Sequence, residues 1–275
     1  MSPFIPDTTP VVAGAPHWAG EFAILSGNAV LSGVTAGVVR KLHHGSFREG
    51  FLRGLAGGGV VYVGKRVVAE HFSGSGLLGR EVAAVGTSMV ANAGDGVGAL
   101  DRLILPAGIA RFYIDRRPPP GAPHLRFRLD AVATGWTIYG LRQKELTFDA
   151  GKSLSAGTPV FRTHNKVMNQ GDVRAGGYSQ AGVVLLSDVP AWGPVYAQRQ
   201  LHHELEHMVQ EDQIEATWLR PLQRALLTRL PAGRLVDDWV DLNASTQVLD
   251  LLSNVVTQHD VRPWEIEADY LAKRR

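Results

Sequence analysis

The chain alternates between two kinds of hydrophobic patterning, and they divide it near residue 105. Residues 22–39 (FAILSGNAVLSGVTAGVV) carry no charge at all. Residues 51–70 and 82–100 repeat the same mixture of Ala, Val, Leu and Gly with a few charges set into it. Gly33 and Gly37, then Gly54 and Gly58, stand four apart, a spacing that lays a flat stripe along a helix and lets two backbones approach. These segments predict Gly-rich helices over residues 21–104, after an N-terminal extension at 1–20. The uncharged run sits at the lower limit of length for a bilayer span, so membrane association through 21–104 is an expectation beside that of soluble helix packing.

Beyond residue 105 the period shortens to two. ARFYID (110–115) and LRFRLDAV (125–132), separated by the Pro118-Pro119-Pro120-Gly121 break, predict strand, turn and strand. Further strands are expected at 136–141, 145–149, 158–163 and 182–188, with short connections that favour antiparallel pairing. The polar, Gly-containing stretch 164–180 reads as a flap or a plain connection. From Gly193-Pro194 the period lengthens again, because Leu201, Leu205, Met208 and Val209 share a helical face. Helices are expected to follow at 218–230, at 236–257 with a break allowed near Asn243, and at 263–273. Strands followed by clustered helices make residues 105–275 an α+β domain.

Composition removes several chemistries. Without cysteine there are no disulfides, iron–sulfur clusters, thiol nucleophiles or Cys-type zinc sites, so any transition metal must be held by His and carboxylates. A net charge of +2 from 28 basic and 26 acidic residues offers no nucleic-acid footprint. Residues 1–20 have no Lys or Arg and four prolines, unlike the basic start of a secretory signal, and the compartment stays open.

The chemistry concentrates in His203-Glu204-Leu205-Glu206-His207. Histidines four apart on a helix project from one face and can reach the same ion, and neutral imidazole suits Zn²⁺. A carboxylate beside them can take a proton from a metal-bound water. The five residues fit both HExxH, with Glu204 as base, and HxxEH, with Glu206 as base. Each glutamate lies roughly 80° from the midpoint of the two histidines, so the helix alone does not choose.

Far downstream, Glu265-Ile266-Glu267-Ala268-Asp269 follows the pattern E-x-x-A-D, and Gln210 extends the motif to HExxHxxQ. Here the chain resembles the gluzincin metallopeptidases, in particular the C-a-a-X prenyl endopeptidase group, over at most residues 182–271. The resemblance implies His203, His207 and Glu265 as zinc ligands, Glu204 as general base, and Asp269 as the acceptor that orients a ligating histidine. It also implies a zincin-like antiparallel sheet beside the metal helix, and a peptide or protein substrate. Glu267 is a competing third ligand, although Glu265 and Asp269, four apart, share a helix face that it does not.

Peptidases of this type bind extended substrate along an edge strand before the metal helix, which points to Val183, Val184 and Leu185. Tyr196, His259 and Tyr270 are candidate oxyanion donors, none of them assigned to the reaction. His202 is expected beside the site or paired with Glu206. The alternative from another class is a non-catalytic membrane or envelope scaffold whose metal site is structural or degenerate.

Overall fold

The computed structural model describes residues 17–70, 72–163, 168–170, 173–180, 182–188, 193–220, 223, 227, 229–231, 233–242 and 263–272. Within them the fold is α+β. Three long helices come first: α1 (His17–Leu42), α2 (Phe47–Val68) and α3 (Ser75–Asp95). Ser46 caps α2 by accepting from Glu49 N, and Gly96 closes α3 in the left-handed region, so sequence-local signals set these boundaries.

The expected glycine stripes are where the helices meet. A Cβ on Gly33 would lie 3.0 Å from Phe51, and one on Gly37 would lie 2.7 Å from Phe47. On the facing helix, Gly50, Gly54 and Gly58 sit over the carbonyls of Ala36, Ser32 and Asn28. Ascending numbers on α2 meet descending numbers on α1, so the pair is antiparallel. A second face of α2 packs against α3, with Gly57 against Gly86 and Gly64 against Gly79.

Among the described residues the strands form two four-stranded sheets and one two-stranded antiparallel pair. The first sheet has the order β1 (Arg102–Ala107), β2 (Ala110–Asp115), β3 (Leu125–Asp130), β10 (Val240–Asp241). The second has the order β4 (Leu146–Phe148), β5 (Val160–Thr163), β9 (Val183–Leu186), β8 (Gly177–Gln180). β6 (Met168–Gln170) and β7 (Val173–Ala175) pair with each other, inside the stretch expected to be a flap or connection. Both larger sheets are mixed, since β3 runs parallel to β10 and β5 parallel to β9. That corrects the antiparallel expectation: the parallel partners are far apart in the chain, β5 and β9 with β6–β8 between them and β3 and β10 with over a hundred residues between them. Such long connections allow parallel pairing. Helix α5 (Ala150–Ala156) joins the antiparallel strands β4 and β5.

A second correction concerns 136–141, expected as a strand and found within helix α4 (Ala131–Arg142). Asp130 accepts from Ala133 N at 2.9 Å and starts the helix, while Trp136 packs on the Ala133, Phe161 and Val183 core. Tertiary packing overrides a short run of alternation. The metal-motif helix is α6 (Gly193–Ile214), continued by a π-helical turn at Glu215–Leu219. After it come α7 (Gly233–Trp239) and α8 (Pro263–Ala272). The helix expected at 236–257 is helical to Trp239 and gives way to β10; residues 243–257 lie outside the described residues, as does His259.

One apolar core joins the two compositional regions. Val61, Val68 and Ala83 from the Gly-rich helices pack with Ala156, Val160, Val184, Leu186, Leu201, Leu205, Met208 and Val209. The apolar face of α6 is thus buried against both the second sheet and the helical layer, and its opposite face carries His203 and His207. Behind the π-helical turn, Arg111 from β2 sits buried among Asp130, Asp212, Glu215 and Asp241, at 3.4, 2.9, 2.7 and 4.0 Å. This cluster ties the first sheet to the end of α6.

Candidate metal centre

Three acceptor atoms converge between α6 and α8. His203 Nε2 lies 3.0 Å from His207 Nε2, and Glu265 Oε2 lies 3.4 Å from the first and 3.1 Å from the second. A tetrahedral ion with bonds of about 2.0–2.2 Å holds its donor atoms roughly 3.3–3.6 Å apart, so the three fit such an ion within a few tenths of an ångström. Among the described residues, these three form the group of His and acidic side chains spaced to hold a metal ion.

The other ring nitrogens settle the tautomers. His203 Nδ1 donates to Asp269 Oδ1 at 3.1 Å, and His207 Nδ1 donates to Gln210 Oε1 at 2.9 Å. Gln210 must present its oxygen there, because its Nε2 donates to Trp264 O at 3.2 Å and to Glu267 Oε2 at 2.9 Å. In the neutral form of each ring Nε2 therefore carries the lone pair, and the two are aimed at each other and at a carboxylate oxygen. Three lone pairs at that separation repel unless positive charge lies among them.

The protonation tendencies express the same demand. Burial works against a charged His203, yet Asp269, Glu265 and the nearby Glu204 outweigh it and push its pKa up to about 10. Burial likewise opposes a charge on His207, and Glu265 raises it in spite of the neighbouring His203. Burial holds Glu204 above the ordinary carboxylate value, with the two histidines pulling it down. A proton and a metal ion would compete for the same ring nitrogens.

The two glutamates of the motif have different surroundings. Glu204 faces β8, where a Cβ on Gly177 would meet its Cγ and Oε1 at 2.7 Å, and it hydrogen-bonds to Ser179. Glu206 is fully buried, and neither carboxylate oxygen has a hydrogen-bond partner among the described residues. Burial raises its pKa well above the ordinary value, with Lys65 pulling the other way. His202 does not pair with it. Gln198 Nε2 donates to His202 Nε2 at 2.6 Å instead.

Glu267, the competing ligand, is engaged elsewhere: Lys65 reaches both its oxygens at 2.9 and 2.8 Å, and Asn28 and Gln210 donate to it at 2.6 and 2.9 Å. Burial alone would raise its pKa, and these donors, Lys65 foremost, lower it. Tyr270 turns away toward Gly20 and Glu21 of α1, and Tyr196 lies against Gly176 two helical turns before His203. A cavity of about 320 Å³ opens on the opposite flank of α6, lined by Ser75, Lys152, Gln198 and His202 among others, and is no part of the metal centre.

The edge-strand expectation for Val183, Val184 and Leu185 is not met. Val183, Val184 and Leu185 lie on β9, an interior strand hydrogen-bonded to β5 on one side and β8 on the other. Val183 and Val184 are buried, so no peptide can pair there. The edge of that sheet beside Glu204 is β8. Sequence reading missed Gly177, Ser179 and Lys65. Only Lys65 left a signal, because it occupies the i+4 position between Val61 and Val68 on a buried face.

No family model, curated protein or solved structure matches this chain.

Proposed function

We propose that the chain is a zinc-dependent hydrolase of the gluzincin type, and specifically a metalloendopeptidase. The observation that carries this is the convergence of His203 Nε2, His207 Nε2 and Glu265 Oε2, with both remaining ring nitrogens committed to acceptors. Two imidazoles and one carboxylate suit Zn²⁺ and leave a coordination position open, and Asp269 and Gln210 act as orienting groups. When bound, the metal supplies Lewis acidity and a water of lowered pKa.

Glu204 is the base in this reading. It is next to His203 and turned to the β8 side, whereas Glu206 is sealed in the helix interface. Burial strengthens its hold on a proton, which suits a group that takes one from water and returns it to a leaving amine. Ser179 holds the carboxyl in place. The edge strand β8 beside the metal helix supports the zincin-like reading of the fold, and an extended peptide lying along Gly177–Gln180 would bring its carbonyl toward Glu204.

Zinc content measured together with hydrolysis of a peptide library, for the wild type and Glu204→Gln, tests this. Stoichiometric zinc with turnover lost in the variant is the expected result. Absence of zinc, or turnover unchanged in Glu204→Gln, refutes it.

A membrane-surface location is favoured by one observation. α1 is long and apolar enough to cross a membrane by length and composition, and Phe22, Val30, Leu31 and Val34 are exposed on it ahead of Arg40 and Lys41. Co-flotation with anionic vesicles is expected, and recovery wholly in the vesicle-free fraction excludes it.

A further inference from the structure

The Gly-rich helices reach the metal centre through one side chain. Lys65 is 1% exposed, and its ammonium group donates to Asn28 Oδ1 at 2.9 Å and to Glu267 Oε1 and Oε2 at 2.9 and 2.8 Å. All three of its N–H groups are thereby used. Glu267 also accepts from Asn28 Nδ2 at 2.6 Å and Gln210 Nε2 at 2.9 Å, which fills the four acceptor positions of a carboxylate. The chain of contacts continues from Gln210 Oε1 to His207 Nδ1 at 2.9 Å.

Direction matters along this chain. A carboxylate can only accept, so it compels Gln210 to turn its NH₂ toward α8 and its oxygen toward His207. Were the amide reversed, its NH₂ would meet His207 Nδ1, and the ring proton would have to move to Nε2. A protonated Nε2 has no lone pair for a metal. The ammonium fixes the carboxylate, the carboxylate fixes the amide, and the amide fixes the imidazole.

We propose that Lys65, acting through Glu267 and Gln210, is a positioning residue for the metal centre, holding His207 in the tautomer that presents Nε2 beside His203 and Glu265. The N-terminal helical layer is on this account part of the metal centre's support. The inference rests on the metal-site reading, and the experiment separates the two.

The full-length double variant Lys65→Met/Glu267→Met removes both charges together, so neither is left buried without its partner. Zn²⁺ affinity is measured by competition with a chromophoric chelator, and the ¹⁵N spectrum of the metal-free His207 ring, taken at a pH where the ring is neutral, reports which nitrogen carries the proton. The double variant is expected to bind Zn²⁺ about 10- to 100-fold more weakly, the usual effect of losing an orienting partner. Its His207 is expected to shift toward the Nε2–H tautomer. Gln210→Leu is expected to lose a similar factor, and the triple variant no more than either, because they break one chain.

A folded double variant with wild-type affinity and an unchanged tautomer overturns the proposal, as do losses that add. If the wild type binds no Zn²⁺, the metal-site reading fails, and the tautomer in the metal-free protein still decides the role of Lys65. Should the double variant not fold, Lys65→Gln/Glu267→Gln keeps the volumes with neither charge and carries the same measurements.

Discussion

Glu206 offers the sharpest test of how the motif is used, since the five residues fit two templates and the structure separates their glutamates by environment. Its side chain is fully buried, with two oxygens that have no hydrogen-bond partner among the described residues. A buried polar group without a partner costs about 1–3 kcal/mol. Methionine has a similar length, adapts its shape to the space and removes both oxygens. Glu206→Met is therefore expected to stabilise the protein by about 1–3 kcal/mol, or about 2–12 °C in Tm for a chain of this size. Zinc binding and peptide turnover should be retained. Glu204→Gln should instead lower turnover by about 10²–10⁴-fold, the usual contribution of a positioned general base. Calorimetry and turnover at saturating zinc read both effects. If Glu206→Met abolishes turnover while Glu204→Gln keeps it, the base is Glu206; if Glu206→Met destabilises the fold, the orphaned-carboxyl reasoning is wrong.

Other consequences are accessible with the same protein. At free Zn²⁺ a thousandfold above Kd the native state gains about 4 kcal/mol, so Tm should rise with zinc and fall with chelator; a zinc-dependent rise surviving in His207→Ala would place the ion elsewhere. Burial pushes Glu81 up to about 7, with Arg80 opposing and Asp212 assisting. Its folded value exceeds the ordinary 4.5, so its contribution to stability is complete below that pH and is lost as pH rises through about 7. Urea midpoints between pH 5 and 8 should fall more steeply in the wild type than in Glu81→Gln, and equal slopes would contradict the assignment. Arg111→Met leaves Asp130, Asp212, Glu215 and Asp241 without their shared cation and should cost about 3–5 kcal/mol by chemical denaturation, whereas a loss below about 1 kcal/mol would mean that the cluster does not depend on it.

What the sequence made legible was whatever depends on spacing along one helix. His203 and His207, or Glu265 and Asp269, share a face by arithmetic, and the structure brings both pairs together. The glycines four apart likewise announced a helix contact. Strand neighbours are set by pairing between distant segments, and no local pattern marked β9 as interior and β8 as the edge. Trp136 to Leu141 misled for a related reason: its alternation is real, but the cap at Asp130 and the Phe161 ring against Gly140 favour a helix. The helix by itself did not separate Glu204 from Glu206; only the resemblance at Glu265–Asp269 favoured Glu204, and no local pattern marked which side of α6 is sealed around Glu206.

The same distinction bears on how the Gly-rich region is understood. Its composition suggested both membrane insertion and helix packing, and the structure assigns most of its glycines to the second. A Cβ on Gly64 would stand 2.4 Å from Ala83 N, and one on Gly79 would stand 2.4 Å from Val68 N. These positions need glycine because two backbones pass each other there, whatever solvent surrounds the layer. A membrane argument can then rest only on the outward side of α1, where Phe22, Val30, Leu31 and Val34 are exposed. The inward sides of α1 and α2 carry Asn28 and Lys65, joined to Glu267. Close packing and a buried ion pair therefore fix the position of the helical layer against α8, and whatever shifts that layer is expected to reach His207 through Gln210.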